Sequence, residues 1–203
     1  YKMNYTFLPW GEDFQFKFGA EHTFHHFDPN KQRVQADETR LNIADISGLF
    51  SHETAVYLNA DMNLTENIKF NAGARYTHFI HTGPYKELKG NKLGTDFDTI
   101  HHERNKAVGS AYNHVEPRFS ARVLLSPSTS FKLAYNRGVQ YVHIIPVTSV
   151  SLPNDIWVPS THKIPPQKGT QWSGGIFKNF AGENWETSLN AYYKTMNNQL
   201  KFK

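Results

Sequence analysis

From Glu53 to Ile80 the chain alternates apolar and polar residues in two runs around one tight turn. Val56, Leu58, Ala60, Met62 and Leu64 alternate with Tyr57, Asn59, Asp61 and Asn63. After Thr65-Glu66-Asn67 the pattern resumes, with Ile68, Phe70, Ala72, Ala74 and Tyr76 set against Lys69, Asn71, Gly73, Arg75 and Thr77. Successive side chains of a strand leave on opposite faces, so these runs predict a hairpin with one uncharged face and one polar face. Each run has about ten residues, the length that crosses a bilayer at a tilt of about 45°. Lipid supplies no hydrogen-bond partners, so only a helix or a closed barrel can span it. No stretch of about 18 apolar residues exists to form a transmembrane helix, which leaves the barrel.

The same alternation recurs. Phe14, Phe16, Phe18 and Ala20 oppose Gln15, Lys17, Gly19 and Glu21; Val115, Phe119, Ala121, Val123 and Leu125 oppose Glu116, Arg118, Ser120 and Arg122. Phe131, Leu133 and Tyr135 form a further run, and Trp185, Leu189, Ala191 and Tyr193 another. Gln171–Lys178 is weaker, because Trp172 and Ile176 share a face that Phe177 does not. The pattern predicts about seven strands and a partial one in Tyr1–Leu8. Short connections rich in turn residues, at Pro9–Glu12, Thr65–Asn67, Ser126–Thr129 and Asn179–Asn184, alternate with long ones. The long ones run from Asp28 to Phe50, His81 to Asn113 and His143 to Lys168. Strict alternation places every short turn at one end of the sheet, the asymmetry of outer-membrane barrels.

Composition changes this picture little. A mean hydropathy of −0.60 would suit a soluble protein, but half of every barrel strand is polar. A soluble ligand-binding β-barrel shows the same period with its apolar face turned inward. Aromatic positions favour the membrane: Phe14, Phe131 and Trp185 lie near the short turns, and Tyr76, Tyr141 and Tyr193 near the long connections, as two interfacial girdles would. Mid-strand Ala60, Ala72, Ala74, Ala121 and Ala191 would fill a soluble core poorly. With no cysteine there is neither disulfide nor thiolate metal site, and a net charge of +4 does not argue for nucleic acid. Both ends fall inside the pattern, which reads as a processed product or a piece of something longer.

Several segments resemble the barrel domain of TonB-dependent outer-membrane receptors, in the form common among Bacteroidota. They are Gly73-Ala74-Arg75-Tyr76, Val115-Glu116-Pro117-Arg118, SFKLAYNRGVQ at Ser130–Gln140, Leu152–Pro159 and AYYKTMNNQ at Ala191–Gln199. The Leu152–Pro159 loop is the most specific of these. The resemblance implies an all-β, antiparallel transmembrane barrel, of which residues 1–203 would be seven or eight strands out of about twenty-two. It also implies active import of a scarce ligand, an iron chelate, cofactor, oligosaccharide or peptide, in the bacterial outer membrane. The implied partners are outer-membrane lipid and lipopolysaccharide, TonB through a plug domain not present in this chain, and a surface lipoprotein. No enzyme is implied, and neither GxSxG, HExxH, a P-loop nor a Rossmann fingerprint occurs. The alternatives are a small autonomous barrel acting as pore or anchor, and the soluble barrel.

Candidate ligand-binding residues follow from charge and aromaticity. Arg75, Arg118 and Arg122 fall on the predicted polar face, where they would bind an anionic substrate or hold hydrogen-bond networks in the wall. Asp155 and Trp157 occupy a proline-braced loop, where an aromatic beside a carboxylate can stack on and bond a ligand or pack structurally. Eleven histidines raise a metal reading. Its candidates are His22 and His26, which share a strand face with His25 turned away, and His101 and His102 in the longest connection. Polar or interfacial histidine is the plainer reading, and no cofactor is expected.

Overall fold

A computed structural model describes residues 1–27, 35–36, 39–40, 48–83, 85–90, 97–103, 106–107, 111–145, 156–180 and 185–200. Eight antiparallel strands form one sheet in chain order: β1 (Lys2–Phe7), β2 (Phe14–Phe27), β3 (Leu49–Thr65), β4 (Ile68–Thr82), β5 (Tyr112–Ser126), β6 (Thr129–Gln140), β7 (Gln167–Phe180) and β8 (Trp185–Asn197). Each pairs with its sequence neighbours, and β1 and β8 form the two edges of an open sheet. At the turn between β3 and β4 the Asn67 amide donates to Thr65 Oγ1 at 3.3 Å. The register shifts there between Asn63 and Thr65, and at the β5–β6 turn between Leu124 and Ser126.

Register carries the alternation across the whole sheet. Val56 faces Tyr76 and Leu58 faces Ala74; Phe70 then meets Ala121 and Ala72 meets Phe119. The apolar face continues through Phe119–Tyr135, Tyr135–Trp172 and Trp172–Tyr193. The mid-strand alanines thus make room for the large rings of the next strand. This face is the open one: Val56, Leu58 and Leu189 are 51%, 52% and 76% exposed, whereas Asn59 and Thr77 on the other face are 8% and 0% exposed. A soluble barrel would show the reverse, so the polarity of the two faces decides for the membrane form.

Apart from Asn59 and Ser130, the buried side chains gather at the long-connection end of the sheet. Phe79 stacks on Tyr141 at 4.8 Å between ring centroids, and both are buried with Ser51, Ala55 and Thr77. The connection from Tyr141 to Pro166 supplies the other half of this packing. Its own ribbon pairs Val142–Ile145 with Ile156–Pro159, the second of which lies against β3. Pro159, Ser160 and Pro166 are also buried. One expectation needs correction. Tyr141 does not join an interfacial girdle: β6 ends at Gln140, the chain turns inward, and strand parity no longer governs where its ring goes. The long connections also carry ladders of their own, pairing Gln35–Ala36 with Thr39–Arg40 and Tyr85–Gly90 with Phe97–His102. The other girdle residues near the long connections, Tyr76 and Tyr193, are exposed on the apolar face, as are Phe131 and Trp185 at the short-turn end.

In an assembled barrel, Leu58→Arg should cost about 2–4 kcal/mol if the residue lies near mid-membrane, measured by reversible unfolding in lipid. Spin labels at Leu58 and Leu133 should be relaxed by lipid-dissolved oxygen, and labels at Asn136 and Gln171 by a water-soluble nickel chelate. The opposite accessibility would invert the two faces.

Candidate functional site

The polar face is built from three bands of charge. Nearest the long connections, Arg75 of β4 reaches across two strands. Its Nη1 lies 3.2 Å from Glu21 Oε2 and its Nη2 3.3 Å from Glu53 Oε1, while Nε donates to Thr77 Oγ1 at 3.3 Å. His25 Nε2 sits 3.3 Å from the second oxygen of Glu53. Thr77 in turn donates to Glu116 Oε1 at 3.0 Å, and Glu116 Oε2 accepts the Val139 amide at 3.0 Å. A planar guanidinium between two carboxylates is a geometry that Lys could not reproduce. Arg75 thus takes part in a wall network that spans three strands.

The middle band centres on Asp61. Lys17 Nζ and Asn59 Nδ2 each approach Asp61 Oδ2 at 3.3 Å, and Asn71 donates to its other oxygen. Arg118 projects beside this group into a trough of about 430 Å³ lined also by Lys17, Tyr57, Asn59, Asp61 and Asn71. Gly73 lies directly opposite Arg118. A Cβ at that position would stand 2.6 Å from Asn59 Oδ1 and 3.1 Å from Arg118 Nε, so the missing side chain is what lets Arg118 cross the strand.

The third band, close to the short turns, holds Arg122 with Lys69 and Lys132, and these three line a second trough of about 490 Å³. Lys132 Nζ lies 4.1 Å from the ring centroid of Phe177, the aromatic that broke the alternation of β7. Phe177 belongs to the polar face, where a cation covers its ring.

The other candidates are dispersed. Trp157 lies in the ribbon opposite Ile144 and is 53% exposed, while Val158 beside it is half-buried. The ribbon is extended over Ile156–Pro159, and Leu152–Asp155 lie outside the described residues. The histidines pair across strands. His22 meets His52, not His26, with Nε2 and Nδ1 3.4 Å apart, and His26 stacks on Phe50 at 4.5 Å. His101 and His102 end a ribbon strand, and their side chains lie outside the described residues. Among the described residues no group of three or more His, Asp or Glu is placed to hold a metal. The sequence had placed Arg118 and Arg122 on this face but missed the network of Glu21, Glu53 and His25 around Arg75. That network joins residues from three strands, and only the register between them reveals it.

His143 adds a titratable group beyond the sheet. It is buried, its Nε2 is 2.8 Å from Ser160 Oγ, and burial pushes its pKa below the ordinary value. Ser160 donates its own amide to the Tyr141 carbonyl at 2.7 Å, so His143 secures the chain that covers Phe79. Burial likewise raises the pKa of the Tyr141 hydroxyl, which lies 2.9 Å from His114 Nδ1.

Comparison with known proteins gives three results. A family model described as "TonB dependent receptor-like, beta-barrel" matches residues 1–202. No curated protein matches the sequence. Among solved structures, the FrpB iron transporter from Neisseria meningitidis (F3-3 variant) superposes with a TM-score of 0.59 at 14% identity. The match covers 95% of this chain and 27% of the transporter's, so the chain spans about a quarter of that protein's length.

Two outcomes test the wall and its mouth. Arg75→Gln leaves Glu21 and Glu53 facing each other, and should destabilise an assembled barrel by about 1–3 kcal/mol. Adding Glu21→Gln should recover part of that loss in a double-mutant cycle of urea unfolding; strict additivity would show that the pair is not coupled. For His143 the folded pKa is depressed, so the folded state binds fewer protons than the unfolded one. Its contribution is therefore present above the ordinary pKa of about 6.5 and is lost as pH falls towards the depressed value. Protection factors of the Val142–Ile145 amides, that is exchange rates corrected for the intrinsic pH dependence of amide exchange, should fall below about pH 6.5, and His143→Gln should remove that fall.

Proposed function

Because this chain belongs to the TonB-dependent receptor-like β-barrel family, we propose that it forms one section of an outer-membrane barrel that imports a scarce ligand. The family and the structural neighbour are transporters, not enzymes. One observation carries the reading: a continuous exposed apolar face is backed by a polar face whose charges line two troughs. That is the cross-section of a wall with lipid outside and water inside. Residues 1–203 supply eight strands of the wall in this reading. The rest of the barrel and a plug that engages TonB lie elsewhere in the receptor.

The long connections face the outside of the cell and the short turns face the periplasm. The ligand is an iron chelate, cofactor, oligosaccharide or peptide taken up through the outer mouth, and a surface lipoprotein assists capture. Outer-leaflet lipopolysaccharide packs against the apolar face near Tyr76 and Tyr193. The Leu152–Pro159 sequence supports the form common among Bacteroidota. Trp157, exposed on the ribbon at that mouth, and Arg118 and Arg122 deeper in the wall are the ligand contacts, and Asp155 joins Trp157 in capture.

Cysteine at Glu103 should react with an impermeant maleimide on whole cells, and cysteine at Glu66 only after the outer membrane is opened. The reverse would overturn the orientation. Disrupting the receptor should abolish TonB-dependent accumulation of one class in a panel of labelled iron chelate, cofactor, oligosaccharide and peptide. Unchanged accumulation across that panel would overturn import.

A further inference from the structure

Three cations stand in one row across three neighbouring strands. Arg122 of β5 is directly opposite Lys69 of β4 on one side and Lys132 of β6 on the other. Directly opposed residues have Cβ atoms about 4.5–5.5 Å apart, and like charges so placed are destabilising. Elsewhere on this face Arg75 is answered by two carboxylates and Lys17 by Asp61. Among the described residues, Lys69, Arg122 and Lys132 have no ion-pair partner. The trough they line contains a single carboxylate, Asp61, and that group already accepts from Lys17, Asn59 and Asn71.

The adjoining row explains why space exists beside the charge. It runs Asn71, Ser120, Ala134, Ser173, each opposite the next, so three small side chains floor the trough next to the three cations. The volume of about 490 Å³ lies in the range of small-molecule sites, about 300–1,000 Å³. Asn71, Gln171 and Asn190 add neutral hydrogen-bonding groups to its lining.

We propose that Lys69, Arg122 and Lys132 form a binding site for a compact oxyanion bearing two or more negative charges, such as a polycarboxylate or a phosphate ester. A planar guanidinium between two ammonium groups suits such an anion: the fork takes two oxygens at once, and the lysines neutralise the remaining charge. The proposal deepens the import function and rests on it for the site's place along a transport route, because the row lies near the short-turn end, past Arg118. The imported ligand, or the part of it bound here, is then anionic.

Inorganic pyrophosphate is the probe, titrated calorimetrically into the purified complete receptor at low ionic strength. The wild type should bind it, and binding should weaken steeply when salt is raised from about 50 to about 300 mM. Arg122→Gln should weaken binding by about tenfold or more, Lys69→Gln with Lys132→Gln should do the same, and Arg122→Lys should retain part of it. Heat-modified gel mobility identifies variants that still fold. Equal binding by folded wild type and Arg122→Gln would overturn the proposal, as would no binding by the wild type. Failure to bind the probe combined with loss of barrel stability in Arg122→Gln would instead mark the row as a seat for an acidic protein surface, and would also overturn it. Pyrophosphate binding needs no energy source. Intact binding with no energised uptake would support the site and count against import alone.

Discussion

The structure depends first on satisfying backbone hydrogen bonds where no water is available. In lipid every amide and carbonyl must find a partner within the protein. Here each strand meets that demand by pairing with its neighbours in chain order. The pairing also explains why large apolar residues such as Leu58 and Leu189 can stand outside, since their partner is the solvent that forces the pairing. The same constraint marks β1 and β8. Each has one edge that the eight strands do not cover, and an uncovered edge in a bilayer must be closed by further strands. The fold likeness over about a quarter of a longer transporter chain agrees with that requirement.

With the apolar face committed to lipid, the charge must be managed on the other face. It is managed unevenly. Near the long connections a guanidinium is shared between Glu21 and Glu53, and Glu116 is held by Thr77 and a backbone amide. Such a network is closed to a ligand unless its bonds are broken. Towards the short turns the cations outnumber the carboxylates and small residues take the place of large ones. The first arrangement stiffens a wall, whereas the second leaves both charge and space unfilled. That contrast, more than the count of basic residues, separates Arg75 from Arg122.

Much of this was legible in the sequence because a barrel strand obeys a single rule of period two. The eight strands, the side on which each apolar residue lies and the positions of Arg75, Arg118 and Arg122 all follow from parity. Parity puts Lys69, Arg122 and Lys132 on one face but does not make them neighbours. The turn at Pro127-Ser128 pairs Ser126 with Thr129, a register that continued unbroken would set Arg122 opposite Leu133, and the shift between Leu124 and Ser126 brings Lys132 there instead. β4 and β5 are joined by a long connection whose length does not determine the register of Lys69. Parity also fails where a strand stops. Tyr141 has the parity of a lipid-facing residue, yet one residue past the end of β6 it is buried against Phe79. Histidine contacts follow the same logic: His22 and His26 share a face along one strand, but the neighbour His22 meets is His52 on the next.

The mouth of the wall follows a different physics from its outer face. Its buried set includes Ser51, Thr77, His143 and Ser160 beside Phe79 and Tyr141, so hydrogen bonds accompany the ring stacking that holds it. A polar core of this kind is costly to leave half-satisfied, because each unpartnered group retains its desolvation penalty. Two hydrogen bonds tie Ser160 to the start of the connection: its amide donates to the Tyr141 carbonyl, and its hydroxyl meets the His143 ring. A charge placed on His143 would oppose this packing, because the imidazolium would have to be desolvated where the neutral ring already fits. The ribbon that carries exposed Trp157 is built on that same segment. Within it Val158 pairs with buried His143 and Trp157 with Ile144, so the exposed aromatic stands one residue along the strand from the partner of the buried ring.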